Sequence, residues 1–322
     1  MTAIIKRPTH EEIRFAADVL RNGGLVAFPT ETVYGLGANG LDKTAVAKIF
    51  EAKGRPSDNP LILHIVKTEQ LNKLVREIPN DFYKLEKFFP GPLTVVLKKA
   101  DMVPDIVTAG LDTVAVRFPA NKIAQDILRE SDVPIAAPSA NISGKPSPTE
   151  AQHVIDDLNG KIDIIIDGGK CDIGLESTVL DLSGCEPCIL REGKITKEQL
   201  EGVLGSVETS HHANRPKAPG MKYRHYAPES PLYITDNIEE AIKKCSGKRV
   251  GVLTAGSSGN FPSDIFVAEL GVTPDDYAAN LFACLRQFDE ASVDIIIAQD
   301  IKGDGVCEAV RNRLYKASGG RI

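Results

Sequence analysis

Apolar positions recur three and four apart over residues 10–22, where Ile13, Ala16, Ala17 and Leu20 fall on one helical face. Gly23-Gly24 ends that helix, because glycine readily takes the left-handed cap conformation. Residues 25–28 are a continuous apolar run stopped by Pro29, the signature of a short buried strand. The same reading predicts helices over 43–53, 121–130 and 196–204, and strands over 61–66, 93–97, 113–118, 135–137, 162–166, 178–182 and 188–191. Periodicity then lapses. Residues 206–229 are polar and rich in His, Pro, Lys, Arg and Gly, and read as a linker. A regular alternation resumes after it: strands over 232–234, 249–254 and 293–298, helices over 237–245, 275–288 and 304–317. In the helix over 275–288, Tyr277, Leu281, Cys284, Leu285 and Phe288 form one stripe. Strands alternating with helices imply an α/β class in both parts.

Length agrees with that division. At 322 residues the chain is long for one core, and two domains are expected: 1–205, a linker over 206–230, and 231–322. The net charge of −6 argues against wholesale coating of nucleic acid, though not against a local basic patch. No apolar run approaches bilayer length, and the N-terminus lacks a signal-peptide core, so a cytoplasmic enzyme without membrane contact is expected. The six cysteines are scattered, so reduced thiols are the default; Cys185 and Cys188 read as two cysteines in a strand-edge turn.

Candidate chemistry gathers at predicted strand ends, where open α/β folds place ligands. Gly35-Leu-Gly37-Ala-Asn-Gly40 has dinucleotide-fingerprint spacing but does not directly follow its strand, so its glycines are read as permitting a tight turn. The polar stretch from Thr30 to Thr32 follows a buried strand; its Thr and Glu serve either a ligand or a turn. Lys53-Gly-Arg55-Pro sets two cations beside a glycine, suited to phosphate oxygens or, more plainly, to the negative end of a helix. His64 lies on the next predicted strand. Pro138-Ser139-Ala-Asn141 ends another strand in small hydrogen-bonding side chains, and glycine-rich turns precede Ser177. Four such loops together point to a concave anion site.

These segments, in order, carry a resemblance. Pro29-Thr-Glu-Thr-Val-Tyr-Gly-Leu-Gly37, Lys53-Gly-Arg-Pro56, Pro60-Leu-Ile-Leu-His64, Ala115-Val-Arg-Phe-Pro119, Pro138-Ser-Ala-Asn141, Ser177-Thr-Val-x-Asp181 and Arg191-Glu-Gly193 resemble the YrdC-like domain. His225-Tyr-Ala-Pro228 and Gly305…Asn312-Arg313-Leu314 are similar to the long, two-domain threonylcarbamoyl-AMP synthases. Gly40 stands where that family is expected to have alanine.

The resemblance implies a YrdC-like twisted mixed sheet with flanking helices and a smaller Rossmann-like C-terminal α/β domain. It implies a nucleotidyltransferase that converts L-threonine, bicarbonate or CO2 and ATP to L-threonylcarbamoyladenylate and pyrophosphate, with a tRNA threonylcarbamoyltransferase as downstream partner. Mg²⁺ would arrive with ATP rather than in a protein cage. The implied catalytic tetrad is Lys53, Arg55, Ser139 and Asn141. ATP would meet Arg55, Asn59, Thr113, Ala137, Ser139, Ser147 and Arg191, with Tyr226 of the linker closing over it. Threonine would meet Thr32, His64, Arg117 and Ser177. The alternative is an RNA-binding module of the same type without turnover, and a weak contact with tRNA is left open.

Overall fold

The computed structural model describes residues 1–210, 225–256 and 261–322. They fall into two units. The first comprises residues 1–143, 148–172 and 176–210; the second comprises residues 144–147, 173–175, 225–256 and 261–322.

The first unit runs β1 (Ala3–Lys6), α1 (His10–Arg21), β2 (Val26–Pro29), β3 (Tyr34–Asn39), α2 (Lys43–Lys53), β4 (Ile62–His64), α3 (Thr68–Leu74), α4 (Asn80–Tyr83), β5 (Leu93–Lys98), α5 (Asp105–Thr108) and β6 (Thr113–Arg117). It continues α6 (Lys122–Ser131), β7 (Ile135–Ala136), α7 (Ala151–Leu158), β8 (Ile164–Asp167), β9 (Thr178–Asp181), β10 (Cys188–Arg191), α8 (Lys197–Leu204) and β11 (Glu208–Thr209). All eleven strands join one mixed sheet in the order β1-β8-β2-β3-β7-β4-β6-β5-β9-β10-β11. The strand alternation divides its side chains between two faces. Val26 and Phe28 pack with Ile13, Leu20 and Ile127 of α1 and α6. Ala27, Leu63, Val95 and Val116 point into a larger core with Val46 and Ile49 of α2. The positions between those last residues, namely Ile62, His64, Thr94, Val96, Ala115 and Arg117, therefore share the opposite face.

The second unit runs β12 (Leu232–Thr235), α9 (Ile238–Lys244), β13 (Val250–Thr254), β14 (Phe266–Glu269), α10 (Pro274–Glu290), β15 (Ile295–Gln299) and α11 (Val306–Ala317). Its four strands are parallel, in the order β12-β15-β13-β14. The α/β class expected from the alternation is what both units show. No helix among the described residues is long and apolar enough to cross a membrane, and none of the six cysteines forms a disulfide.

Three local expectations are corrected. Pro29 does not stop β2 but is its last residue, opposite Tyr34. The stretch expected as linker opens with β11, which extends the sheet beside β10; residues 211–224 of that stretch lie outside the described residues. The third correction concerns the glycines. Gly35 and Gly37 lie on β3, antiparallel to β2, and Gly40 follows directly; none has positive φ. What requires glycine at two of them is close packing, not a turn. A Cβ on Gly37 would meet Phe28 at 2.7 Å and Ile135 at 2.8 Å, and one on Gly40 would meet Leu63 at 2.5 Å and the Pro134 carbonyl at 2.9 Å.

Gly37→Ala is therefore expected to destabilise the protein by about 1–3 kcal/mol through overpacking. Gly184→Ala, which meets nothing within 4 Å, is expected to be near neutral. Urea denaturation of both variants checks this, and equal midpoints would refute it.

Candidate active site

Six adjacent strands, β3, β7, β4, β6, β5 and β9, carry or lead into most of the expected site residues of the first unit. Register brings them into a row. His64 of β4 lies opposite Arg117 of parallel β6, and Arg117 lies opposite Thr94 of antiparallel β5. Directly opposed residues point to the same face. Along each strand the row is backed by Ile62, Ala115, Val96 and Val179, which form a small apolar floor. Thr113 stands on this same face but four residues before Arg117, so roughly 13 Å separates the two along β6. Extending the β4–β6 register backward puts Thr113 beside Pro60. The face thus has two polar ends joined by an apolar middle.

At one end Arg117 is buried, with 4% of its surface exposed. A buried charge needs partners. Its Nη2 donates to Glu31 Oε1 at 2.6 Å, its Nη1 to Thr32 Oγ1 at 2.9 Å, and its Nε to the Gly91 carbonyl at 3.4 Å. Each terminal nitrogen carries a second N–H, and among the described residues neither of those has a partner. The other oxygen of Glu31 accepts from the Ala120 and Asn121 amides at 3.0 and 3.3 Å. Burial pushes the Glu31 carboxyl up, but the Arg117 charge and these hydrogen bonds outweigh it and hold it below the usual carboxylate range.

His64 is the neutral member of the row. Its Nδ1 lies 3.2 Å from the Ile62 carbonyl, a contact that the tautomer with hydrogen on Nδ1 satisfies. Burial, and then the Arg117 charge beside it, push its pKa down to about 3. On the far side, the Ser177 and Thr94 hydroxyls share a hydrogen bond at 2.7 Å. Arg191 of β10 donates to the Ser177 carbonyl through Nε at 3.0 Å and through Nη2 at 2.9 Å, and to its hydroxyl at 3.1 Å. In this geometry Arg191 fixes Ser177.

Three members of the tetrad expected from the sequence, Lys53, Ser139 and Asn141, are in contact, with a division of labour. Asp42 caps the start of α2, and Gly54 ends it in the left-handed conformation, leaving Lys53 in the last turn. Lys53 is not a solvent-facing cation: it is 2% exposed. Its ammonium donates to the Ser139 carbonyl at 2.5 Å and to the Asn141 carbonyl, with Asn141 Oδ1 at 3.5 Å. Ser139 Oγ donates to Asn141 Oδ1 at 2.6 Å. The other side of this loop is held by β3. The Ala140 amide donates to the Tyr34 carbonyl, and the Leu36 amide to the Pro138 carbonyl, both at 2.8 Å. The Ala137 amide donates to the Ile62 carbonyl at 3.0 Å, so Ala137 is placed by its backbone. Arg55 is half-buried, its Nη2 near the Asn59 and Pro60 carbonyls at 3.3 and 3.2 Å. Asn59 is buried, and neither its amide nitrogen nor its amide oxygen has a hydrogen-bond partner among the described residues. An orphaned buried amide is costly and points to a ligand.

Two expected residues belong to the second unit. Ser147 is buried there. Tyr226 has φ +66 and is 5% exposed; its ring stacks on Phe282 at 5.2 Å, with the Arg313 guanidinium 6.0 Å from its centroid. Its ring face thus has a partner within that unit. Sequence reasoning missed Glu31 and Thr94 as members of the site. Glu31 sat inside a singled-out motif, and the signal for Thr94 was a lone hydroxyl in an apolar strand. Among the described residues, no group of three or more His, Cys, Asp or Glu is placed to hold a metal ion.

An unfolded His64 takes a proton near pH 6.5, the folded one only near 3. Between those values the unfolded chain binds more protons, so this residue's contribution to stability falls as pH falls, by up to about 1.4 kcal/mol per unit. Relative to His64→Gln, the wild-type protein is expected to lose stability in urea titrations between neutral pH and mild acid. A constant difference would refute the neutral, buried assignment.

Known proteins resemble this chain in both of its parts. Residues 18–193 match the Sua5, YciO and YrdC family, described as Telomere recombination, and residues 195–319 match the C-terminal domain of threonylcarbamoyl-AMP synthase. A threonylcarbamoyl-AMP synthase of Pyrococcus abyssi is 51% identical, over 100% of this chain and 99% of its own length. One of Bacillus subtilis is 49% identical, over 97% and 94%. The structure of P. abyssi Sua5 complexed with L-threonine superposes with a TM-score of 0.93 at 49% identity, covering 99% of this chain and 98% of that one. Escherichia coli YciO matches 60% of this chain and 96% of its own, with a TM-score of 0.54 at 27% identity. Both parts are matched in order and across nearly the whole length, and the chain belongs to the threonylcarbamoyl-AMP synthase family.

Proposed function

We propose that this protein makes L-threonylcarbamoyladenylate and pyrophosphate from L-threonine, bicarbonate or CO2 and ATP, for transfer by a tRNA threonylcarbamoyltransferase to adenosine in tRNA. The observation that carries the reading is the row of His64, Arg117, Thr94 and Ser177, with Arg117 buried and retaining two unpartnered N–H groups. That arrangement suits an amino-acid carboxylate, gripped by two parallel charge-assisted hydrogen bonds. The complex of the P. abyssi relative with L-threonine supports the same ligand.

The roles follow from the donors and acceptors. Arg117 takes the threonine carboxylate. The His64 Nε2 lone pair accepts from the threonine hydroxyl, with Thr32 and Ser177 alongside. A site built to hydrogen-bond a hydroxyl rejects amino acids that lack it. Burial and the Arg117 charge favour the neutral imidazole of His64, which suits it to accept that hydrogen bond. ATP extends toward the other end of the face, where Arg55, Asn59 and Thr113 stand, with Ala137 and Ser139 beside it; Arg191, on Ser177, stands at the threonine end.

In the reaction the threonine amine first gains CO2 to become a carbamate. A carbamate oxygen then bonds to the α-phosphorus of ATP, the bond from that phosphorus to the bridging oxygen breaks, and pyrophosphate leaves. Two anions must approach each other, and Arg55 offsets that charge. Lys53 acts through the loop: its ammonium ties down the carbonyls of Ser139 and Asn141, so their side chains meet the phosphate in a fixed geometry. Mg²⁺ would enter as the ATP complex and offset phosphate charge there.

Pyrophosphate release is expected only when ATP, bicarbonate and threonine are all present; release independent of threonine would overturn the reading. Lys53→Met is expected to lower kcat by about 100-fold, the scale of losing a preorganised polar contact, with little change in threonine KM. A large rise in threonine KM in that variant would contradict the role given to the loop.

A further inference from the structure

Arg117 is long and would sweep a wide arc if it were held only at its backbone. Three contacts prevent that, and Glu31 is the only one that carries a charge. Glu31 is itself buried and anchored twice on its far oxygen, by the amides of Ala120 and Asn121. Asn121 caps α6 by accepting from the Ile123 and Ala124 amides. The chain of contacts therefore runs from a helix start, through one carboxylate, to the guanidinium. The carboxylate takes one N–H of Nη2, and each terminal nitrogen keeps one further N–H.

We propose that Glu31 is a positioning residue for the threonine site: it fixes the rotation of the Arg117 guanidinium so that one N–H of each terminal nitrogen faces the amino-acid carboxylate. The inference rests on the reading that Arg117 grips that carboxylate. It adds that Glu31 does not touch substrate and acts only through Arg117.

Its charge has a second consequence. Glu31 neutralises Arg117 before substrate binds, so the buried guanidinium does not have to recruit a stray anion in the empty site. A ligand carboxylate then competes with no counter-ion for the two unused N–H groups. Because Glu31 bonds Arg117 and the amides that lead into α6, its removal is expected to affect threonine and not ATP.

The test compares Glu31→Gln with Arg117→Lys. Glutamine keeps an oxygen for the helix amides but removes the charge from Arg117. For Glu31→Gln we expect threonine affinity, measured by calorimetry, to fall about 10- to 100-fold, the scale set by a charge-assisted pair. ATP affinity should stay within about twofold of wild type, and kcat at saturating threonine should be largely retained. A merely structural role would lower the melting temperature and weaken both ligands together, and that outcome overturns the proposal. So does unchanged threonine affinity in Glu31→Gln when Arg117→Lys has lost it; in that case Arg117 still binds threonine and only the role of Glu31 fails. If Arg117→Lys binds threonine as wild type does, the underlying reading fails instead. Should Glu31→Gln not fold, Glu31→Asp keeps the charge and retracts it by one methylene. The same split between threonine and ATP is then expected, and its absence overturns the proposal.

Discussion

A guanidinium buried inside a sheet must be paired, and the architecture of this active site follows from meeting that need at Arg117. An unpaired charge in a low-dielectric interior costs far more than one domain's net stability can absorb. Glu31 supplies the counter-charge, Thr32 and the Gly91 carbonyl take two more hydrogens, and His64 beside it is kept neutral. Around Arg117 on β6, these partners come from the turn between β2 and β3, the approach to β5, and β4. They meet only because the strand order and register allow it. A slip of one residue in β6 would turn Arg117 into the large apolar core and Val116 into the site.

The second constraint is the loop from Pro138 to Asn141. It is held from one side by β3 and from the other by the Lys53 ammonium. This fits glycine at position 37 of β3, packed on Phe28 and Ile135, and at position 40 just after it, packed on Leu63: larger residues would force the strands apart and loosen the loop they support. Packing at Gly37 and Gly40 and chemistry at Ser139 are thus two consequences of one close approach.

Much of this was legible in the sequence, for identifiable reasons. α1 and α2 announce themselves by apolar spacing, and the buried strands by short apolar runs. β3 was not legible, because a glycine-rich polar stretch has neither strand propensity nor alternation, and its pairing is imposed by neighbours. The cationic and hydroxyl residues of the site stood out as motifs at strand ends, and the family resemblance supplied their chemistry. Their mutual roles did not stand out. That Lys53 braces a loop 86 residues away in sequence, or that Glu31 pairs with Arg117 at the same separation, depends on tertiary placement alone. Tyr226 illustrates the opposite case. The linker motif was recognisable, but the packing of its ring on Phe282 required the fold of the second unit.

The account turns on where the amino-acid carboxylate sits. A crystal structure of the protein with threonine and a non-hydrolysable ATP analogue measures that directly. The predicted result has the carboxylate within hydrogen-bond distance of both terminal nitrogens of Arg117, the threonine hydroxyl on His64 Nε2, and Glu31 still bonded to the far edge of the guanidinium. A threonine carboxylate bound away from Arg117, or a Glu31 that swings out when threonine enters, would contradict it.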